Sequence, residues 1–163
     1  MSAIGYYQSP IGLLMLHVND TFITQLTLVE GEVKPIGKDG DNPIFMHTFQ
    51  WLDDYFANKK PEASTLPLAP SGTAFQLDVW RIVRSVPYGS CITYGQIAQK
   101  LEDSYKYTRM SAQAIGQAVG ANPIAIIIPC HRVLGRMNKL TGYAYGLYAK
   151  KWLLSHEKIP YKE

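Results

Sequence analysis

Cys130 is followed directly by His131 and Arg132, within Pro129-Cys130-His131-Arg132-Val133. A thiolate is a strong nucleophile, and an adjacent base or cation is what makes one from a thiol. A free cysteine has a pKa of about 8.5, so only a few per cent is ionised at neutral pH without such help. Neighbours on a regular strand point to opposite faces. Pro129 interrupts ladder pairing, so the chain can leave strand geometry there and turn Cys130 and His131 toward the same space. A cysteine ending an apolar run is also a common small core residue. At this level both readings stand.

The elements around the motif must position it. Ile124-Ala125-Ile126-Ile127-Ile128 is a β-branched apolar run that predicts a buried strand delivering the thiol. Before it, Thr73 and Gln76 form a capping box, and Phe75, Val79, Ile82, Val83 and Val86 share one helical face. Pro87-Tyr88-Gly89 stops that helix. Thr93 and Gln96 repeat the capping box and start a second helix, to about Leu101. A loop follows from Glu102 to Tyr107, then a third helix over about Thr108 to Val119. Two short consecutive helices suggest a helix-turn-helix whose second member reads DNA. A last helix is predicted over residues 147–157, with Ala149, Trp152 and Leu153 inward.

The N-terminal half reads as a scaffold. Residues 6–30 predict two strands joined near Asn19-Asp20, and Asn42-Pro43 starts an amphipathic helix over residues 43–58. His47 and the Asp53-Asp54 pair read as solvated helix residues. Pro61, Pro67, Pro70 and Gly72 mark a linker, which divides the chain into a domain at 1–70 and another at 71–163.

The 163 residues, 47% of them hydrophobic, are enough for a sizeable core. No stretch approaches the roughly 20 apolar residues of a membrane span, and the N-terminus lacks a secretory pattern, so a cytoplasmic protein is expected. Two cysteines, Cys91 and Cys130, make no disulfide framework. The four histidines form no ligand-spaced cluster with them, so neither a metal nor another cofactor is expected. Residues 1–71 hold four Lys/Arg against eight Asp/Glu, whereas residues 72–163 hold twelve against five. The half with the thiol is therefore basic, which suits a polyanionic partner.

Ala112, Gly116 and Gly120 form a line of minimal side chains along the third helix, flanked by Gln113 and Gln117. Such a stripe suits close packing on another helix or insertion into a minor groove, where sequence information is poor. Tyr94 starts the second helix, where free N–H groups attract phosphate.

Asn122-Pro123, the apolar run, Pro-Cys-His-Arg-Val, Gly142-Tyr143 and Trp152-Leu153-Leu154-Ser155-His156-Glu157 together resemble the O6-alkylguanine-DNA alkyltransferases over roughly residues 73–158. The resemblance implies an α+β fold: a ribonuclease-H-like N-terminal domain with a small antiparallel sheet and helix, then a mostly helical domain containing a helix-turn-helix. It implies single-turnover repair of O6-alkylguanine, and of O4-alkylthymine, by irreversible transfer to Cys130. His131 would be the base, through a water, with Glu157 orienting it and Asn122 bracing the turn before the thiol. Tyr94, Val133, Tyr143, Ala144 and Tyr145 would meet the flipped base, with Tyr94 crowding its phosphate. Arg109, Ser111, Ala112, Gln113 and Gly116 would meet double-stranded DNA in the minor groove, and the protein would act as a monomer.

The sequence departs from that family in three places. Gln113 stands where an arginine usually fills the gap in the base stack, with Arg109 one turn earlier. The loop from Leu101 to Tyr107 is longer than usual. Tyr145 replaces a small rim residue, and Ala144 a serine. A lesion-binding relative without transfer is the alternative, but such proteins characteristically lack the cysteine. A cysteine hydrolase would need an oxyanion hole that no motif indicates.

Overall fold

The computed structural model describes residues 2–30 and 42–163. They form two compact units: one of residues up to Ser71 with Pro123–Ala125, the other of Gly72–Asn122 and Ile126–Glu163. The class is α+β, with a small antiparallel sheet in the first unit and a mostly helical second unit.

In the first unit the sheet is a three-stranded meander of β1 (Ala3–Ser9), β2 (Gly12–Val18) and β3 (Ile23–Leu28). The stretch before Asn19 is thus two strands rather than one. Ser9 makes the turn: its hydroxyl donates to Gly12 O (2.6 Å) and accepts from Ile11 N (3.2 Å). On β2, Leu14, Leu16 and Val18 are buried in strict alternation, which is the period-2 signature of a half-buried sheet. Helix α1 (Pro43–Phe56) starts at the Asn42 cap and buries Phe45, Trp51, Leu52 and Tyr55. His47 and Asp53 are exposed, and Asp53 accepts from Tyr7 Oη at 2.6 Å. The proline-rich segment is less free than its composition implies. Leu68 bridges to Ile23, Leu66 is buried, and Trp51 donates to Glu62 O at 3.0 Å.

In the second unit α2 (Ala74–Arg84) and α3 (Tyr94–Ser104) both carry complete capping boxes, at Thr73/Gln76 and Thr93/Gln96. Helix α3 runs three residues beyond Leu101. Helix α4 (Ala112–Gly120) starts four residues later than Thr108, because Ser111 accepts from Ala114 N and sets the cap. The longer loop between them is tied back to α2: Tyr107 Oη donates to Asp78 (2.7 Å) and its ring meets Phe75 edge-on. Trp80 of α2 donates to Ala118 O of α4 at 2.8 Å, locking the two helices together. Helix α5 (Leu147–His156) ends at Glu157. Ala149 and Leu153 of α5 are buried, but Trp152 is half-buried and stacks on His156.

The predicted strand over Ile124–Ile128 does not form. These residues are buried, yet only Ile124 bridges, to Leu26, and the chain then turns. Ile126 sits at φ 69°, a left-handed conformation costly for a β-branched residue. The Asn122 amide takes the Ile128 carbonyl at 2.9 Å, an oxygen that a ladder would otherwise use. A short buried apolar run looks the same in either case, because burial sets its composition and hydrogen bonding sets its shape.

Candidate active site

Cys130, His131 and Arg132 form one turn of 3-10 helix after Pro129. The turn is continued by β5 (Val133–Leu134), which pairs in parallel with β4 (Ile92–Thr93). Thr93 is the cap of α3 and Tyr94 its first residue, so this two-residue pairing fixes the head of α3 beside the thiol segment. Cys130 and His131 are both buried.

His131 Nε2 lies 2.5 Å from Oε2 of Glu157, and Arg132 Nε donates to the other carboxylate oxygen at 2.7 Å. Gly89 N donates to that second oxygen as well, at 3.1 Å. Burial would raise the Glu157 pKa, but the hydrogen bonds from His131 and Arg132, with the Arg132 charge, outweigh it and hold the carboxyl well below the usual carboxylate range. An ionised carboxylate only accepts, so Nε2 carries the hydrogen and Nδ1 carries the lone pair. Nδ1 is buried with no protein partner. Burial also pushes the His131 pKa down against the pull of Glu157, which favours the neutral ring and leaves Nδ1 as a hydrogen-bond acceptor.

Burial pushes the Cys130 thiol up to about 12, while a hydrogen bond with Asn122 and the Lys150 charge pull the other way. The resting sulfur is thus a protonated thiol held beside a neutral imidazole. Glu157 orients the imidazole, while thiol and ring follow one another in the turn with no direct hydrogen bond between Sγ and Nδ1.

A cavity of about 270 Å³ is lined by Tyr94, Gly116, Val119, Gly120, Gly142, Tyr143 and Ala144; Cys130 and His131 do not line it, and Tyr143 connects the two, its ring edge-on to His131 at 6.4 Å. Tyr94, Tyr143, Ala144 and Gly116, named from sequence, meet here. The Tyr143 hydroxyl is buried with no side-chain or carbonyl partner, and burial with the nearby Cys130 raises its pKa, so it remains a donor. Tyr145 stands edge-on to Tyr143 and donates to Asn122 O at 2.8 Å. Ala112 and Gln113 are exposed on α4, as are Arg109 and Ser111 just before it. Val133 is buried and its carbonyl is engaged by Lys150 at 2.7 Å. The described residues hold no group of three His, Cys, Asp or Glu able to bind a metal.

Residues 74–159 match the DNA-binding domain of 6-O-methylguanine DNA methyltransferase, and residues 3–70 match its ribonuclease-like domain. The chain belongs to the 6-O-methylguanine DNA methyltransferase family. It is 39% identical over 96% of its length, and 86% of the relative's, to the methylated-DNA–protein-cysteine methyltransferase of Haemophilus influenzae. It is 37% identical to the protein of that name from Methanosarcina acetivorans, covering 93% of this chain and 95% of the other. Among solved structures, Mycobacterium tuberculosis OGT in complex with DNA superposes with a TM-score of 0.79 at 36% identity, covering 95% of this chain and 92% of that one.

One residue of this methyltransferase-family site escaped sequence reading. Lys150 is fully buried and donates to Val133 O, Thr141 Oγ1 (3.1 Å) and Gly142 O (3.2 Å). Burial lowers its pKa to about 8, and Cys130 draws it back up. In sequence it is the first of two lysines on a helix, and Lys151 is half-buried and ion-paired with Glu163. The only available signal was its i, i+3 spacing from the buried Leu153.

Proposed function

We propose that this protein repairs DNA by taking the alkyl group from O6 of guanine, or O4 of thymine, onto Cys130 in a single irreversible transfer. The observation that carries the reading is the His131–Glu157 pairing, which leaves Nδ1 of the imidazole next in sequence to the buried thiol without a hydrogen-bond partner. His131 receives the thiol proton, through a water. The sulfur attacks the alkyl carbon, an S–C bond forms as the C–O bond breaks, and the electron pair leaves on the purine. Tyr143, with the backbone near Ala144, offers hydrogen bonds to the purine and makes it a better leaving group. The thioether is stable, so each molecule acts once.

A stacked base cannot reach a buried sulfur, so the lesion is flipped into the cavity, at a cost of a few kcal/mol that is lower for a poorly paired base. Tyr94 crowds the target phosphate. The small-residue face of α4, with Ala112 and Gly116, enters the minor groove without sequence preference, helped by Arg109, Ser111 and Gln113. The second domain, residues 71–163, carries this chemistry and residues 1–70 serve as scaffold. The protein works as a monomer in the compartment that holds the DNA, the cytoplasm in a bacterium, and no helix among its described residues is long and apolar enough to cross a membrane.

The test is an intact mass after incubation with duplex DNA containing O6-methylguanine. A gain of one methyl on the peptide with Cys130, lost in Cys130→Ala, is expected. Binding of the lesion with no mass change would move the protein to the lesion-binding class.

A further inference from the structure

Lys150 ends a chain of polar groups that reaches the head of α3. Its ammonium has three hydrogens and three acceptors, Val133 O, Thr141 Oγ1 and Gly142 O, so each hydrogen is used. Thr141 Oγ1 accepts from Lys150, which leaves its own hydroxyl hydrogen to point elsewhere. Its other neighbour is the Tyr94 hydroxyl at 3.1 Å. Either oxygen can donate in that pair. Once Tyr94 meets an anion, the choice is removed: its hydrogen goes to the anion and its lone pair accepts from Thr141. The donors then run one way, from Lys150 to Thr141 to Tyr94 to the anion. A chain aligned in this way is strengthened by charge at both ends.

At the other end, the groups whose charge Lys150 feels or alters are the Cys130 thiol and the His131 ring, with Arg132 and Glu157 packed behind His131. A firmer ammonium favours a thiolate. We propose that Thr141 is a positioning residue that transmits phosphate contact at Tyr94 to Lys150, so that the Cys130 sulfur becomes easier to ionise when DNA is engaged. The link rests on the alkyl-transfer reading above. It moves no proton itself; the thiol proton still leaves to His131. It gives a physical reason for a protein that can act only once to keep its thiol protonated away from DNA.

The experiment compares first-order transfer at saturating duplex containing O6-methylguanine with transfer from free O6-methylguanine, which has no phosphate. Thr141→Val is expected to lose at least tenfold on duplex and at most threefold on the free base. Thr141→Ser keeps the hydroxyl and restores the duplex rate to within twofold. Combined with Tyr94→Phe, Thr141→Val adds no further loss on duplex, because the chain is already cut. Equal losses on both substrates, an unchanged duplex rate, or additive losses in the double variant overturn the link. A wild-type protein that demethylates neither substrate overturns the transferase reading instead.

Discussion

The hydroxyl of Tyr145 donates to the backbone carbonyl of Asn122, and the Asn122 side chain bonds both Ile128 O and the Cys130 thiol. The Tyr145 ring, edge-on to the Tyr143 that lines the cavity, is therefore anchored to the residue that bonds the thiol. This anchoring holds the ring in place, and if it limits what enters the cavity, its removal should favour bulky adducts. Tyr145→Gly is expected to speed reaction with O6-benzylguanine relative to O6-methylguanine in a competition assay, at a stability cost of about 1 kcal/mol from the lost hydrogen bond. Tyr145→Phe keeps the bulk and should leave the substrate ratio unchanged. An unaltered ratio in the glycine variant would remove Tyr145 from the selectivity.

Gln113 is exposed at the second position of α4 and carries no charge. If it fills the space left by the flipped base, a longer cationic side chain should fill it better. Gln113→Arg is expected to raise the transfer rate on duplex several-fold and to leave the rate on free O6-methylguanine unchanged. Equal changes on both substrates would exclude a role in the stack.

Glu157 is held below its ordinary pKa, so the unfolded chain binds its proton first as pH falls. Its contribution to stability is therefore fully present above the unfolded value, about 4.5, and is lost as pH drops through the folded one. His131, also lowered, adds in the same direction below about 6.5. Glu157→Gln leaves Arg132 with an uncompensated buried charge and should cost about 3–5 kcal/mol at pH 7. Melting curves from pH 7 to pH 3 should show the gap between wild type and variant closing on the acid side. A gap that stays constant would mean that Glu157 is not ionised in the folded protein.

Lys150 offsets the charge of a thiolate that burial disfavours. Lys150→Met removes that charge at nearly constant length. Transfer from the free base and from duplex should both fall at least tenfold, equivalent to about 1.4 kcal/mol. This contrasts with the duplex-selective loss expected at Thr141. A free-base rate within twofold of wild type would show that Lys150 acts only as a structural clamp.

The N-termini of the three helices α2, α3 and α4 differ in how far they were readable. Thr73/Gln76 and Thr93/Gln96 announce their capping boxes because both partners are local, three residues apart. Ser111 as the start of α4 was not legible, since Thr108 offers a hydroxyl that suits the same role and the chain between them is anchored by Tyr107 to a distant Asp78. The two strands before Asn19 merged in the sequence although Pro10 and Gly12 (φ 127°) punctuate the turn, because Pro10-Ile11 is not an Asn-Gly or Asp-Gly hairpin pair and Ser9 closes the turn through its side chain.

From sequence alone came the candidate nucleophile, its neighbouring candidate base and the small-residue face of α4, because these depend on residue type and short spacing within a motif. The tertiary structure decided which nitrogen of His131 is free, since Glu157 comes from 26 residues away and claims Nε2. It also decided that Ile124–Ile128 bends instead of extending, and that one of two adjacent lysines is buried against carbonyl groups from β5 and the loop before Tyr143. Local pattern reports what a side chain can do. Its charge state and its partners depend on burial and on groups remote in the chain, which no window of sequence contains.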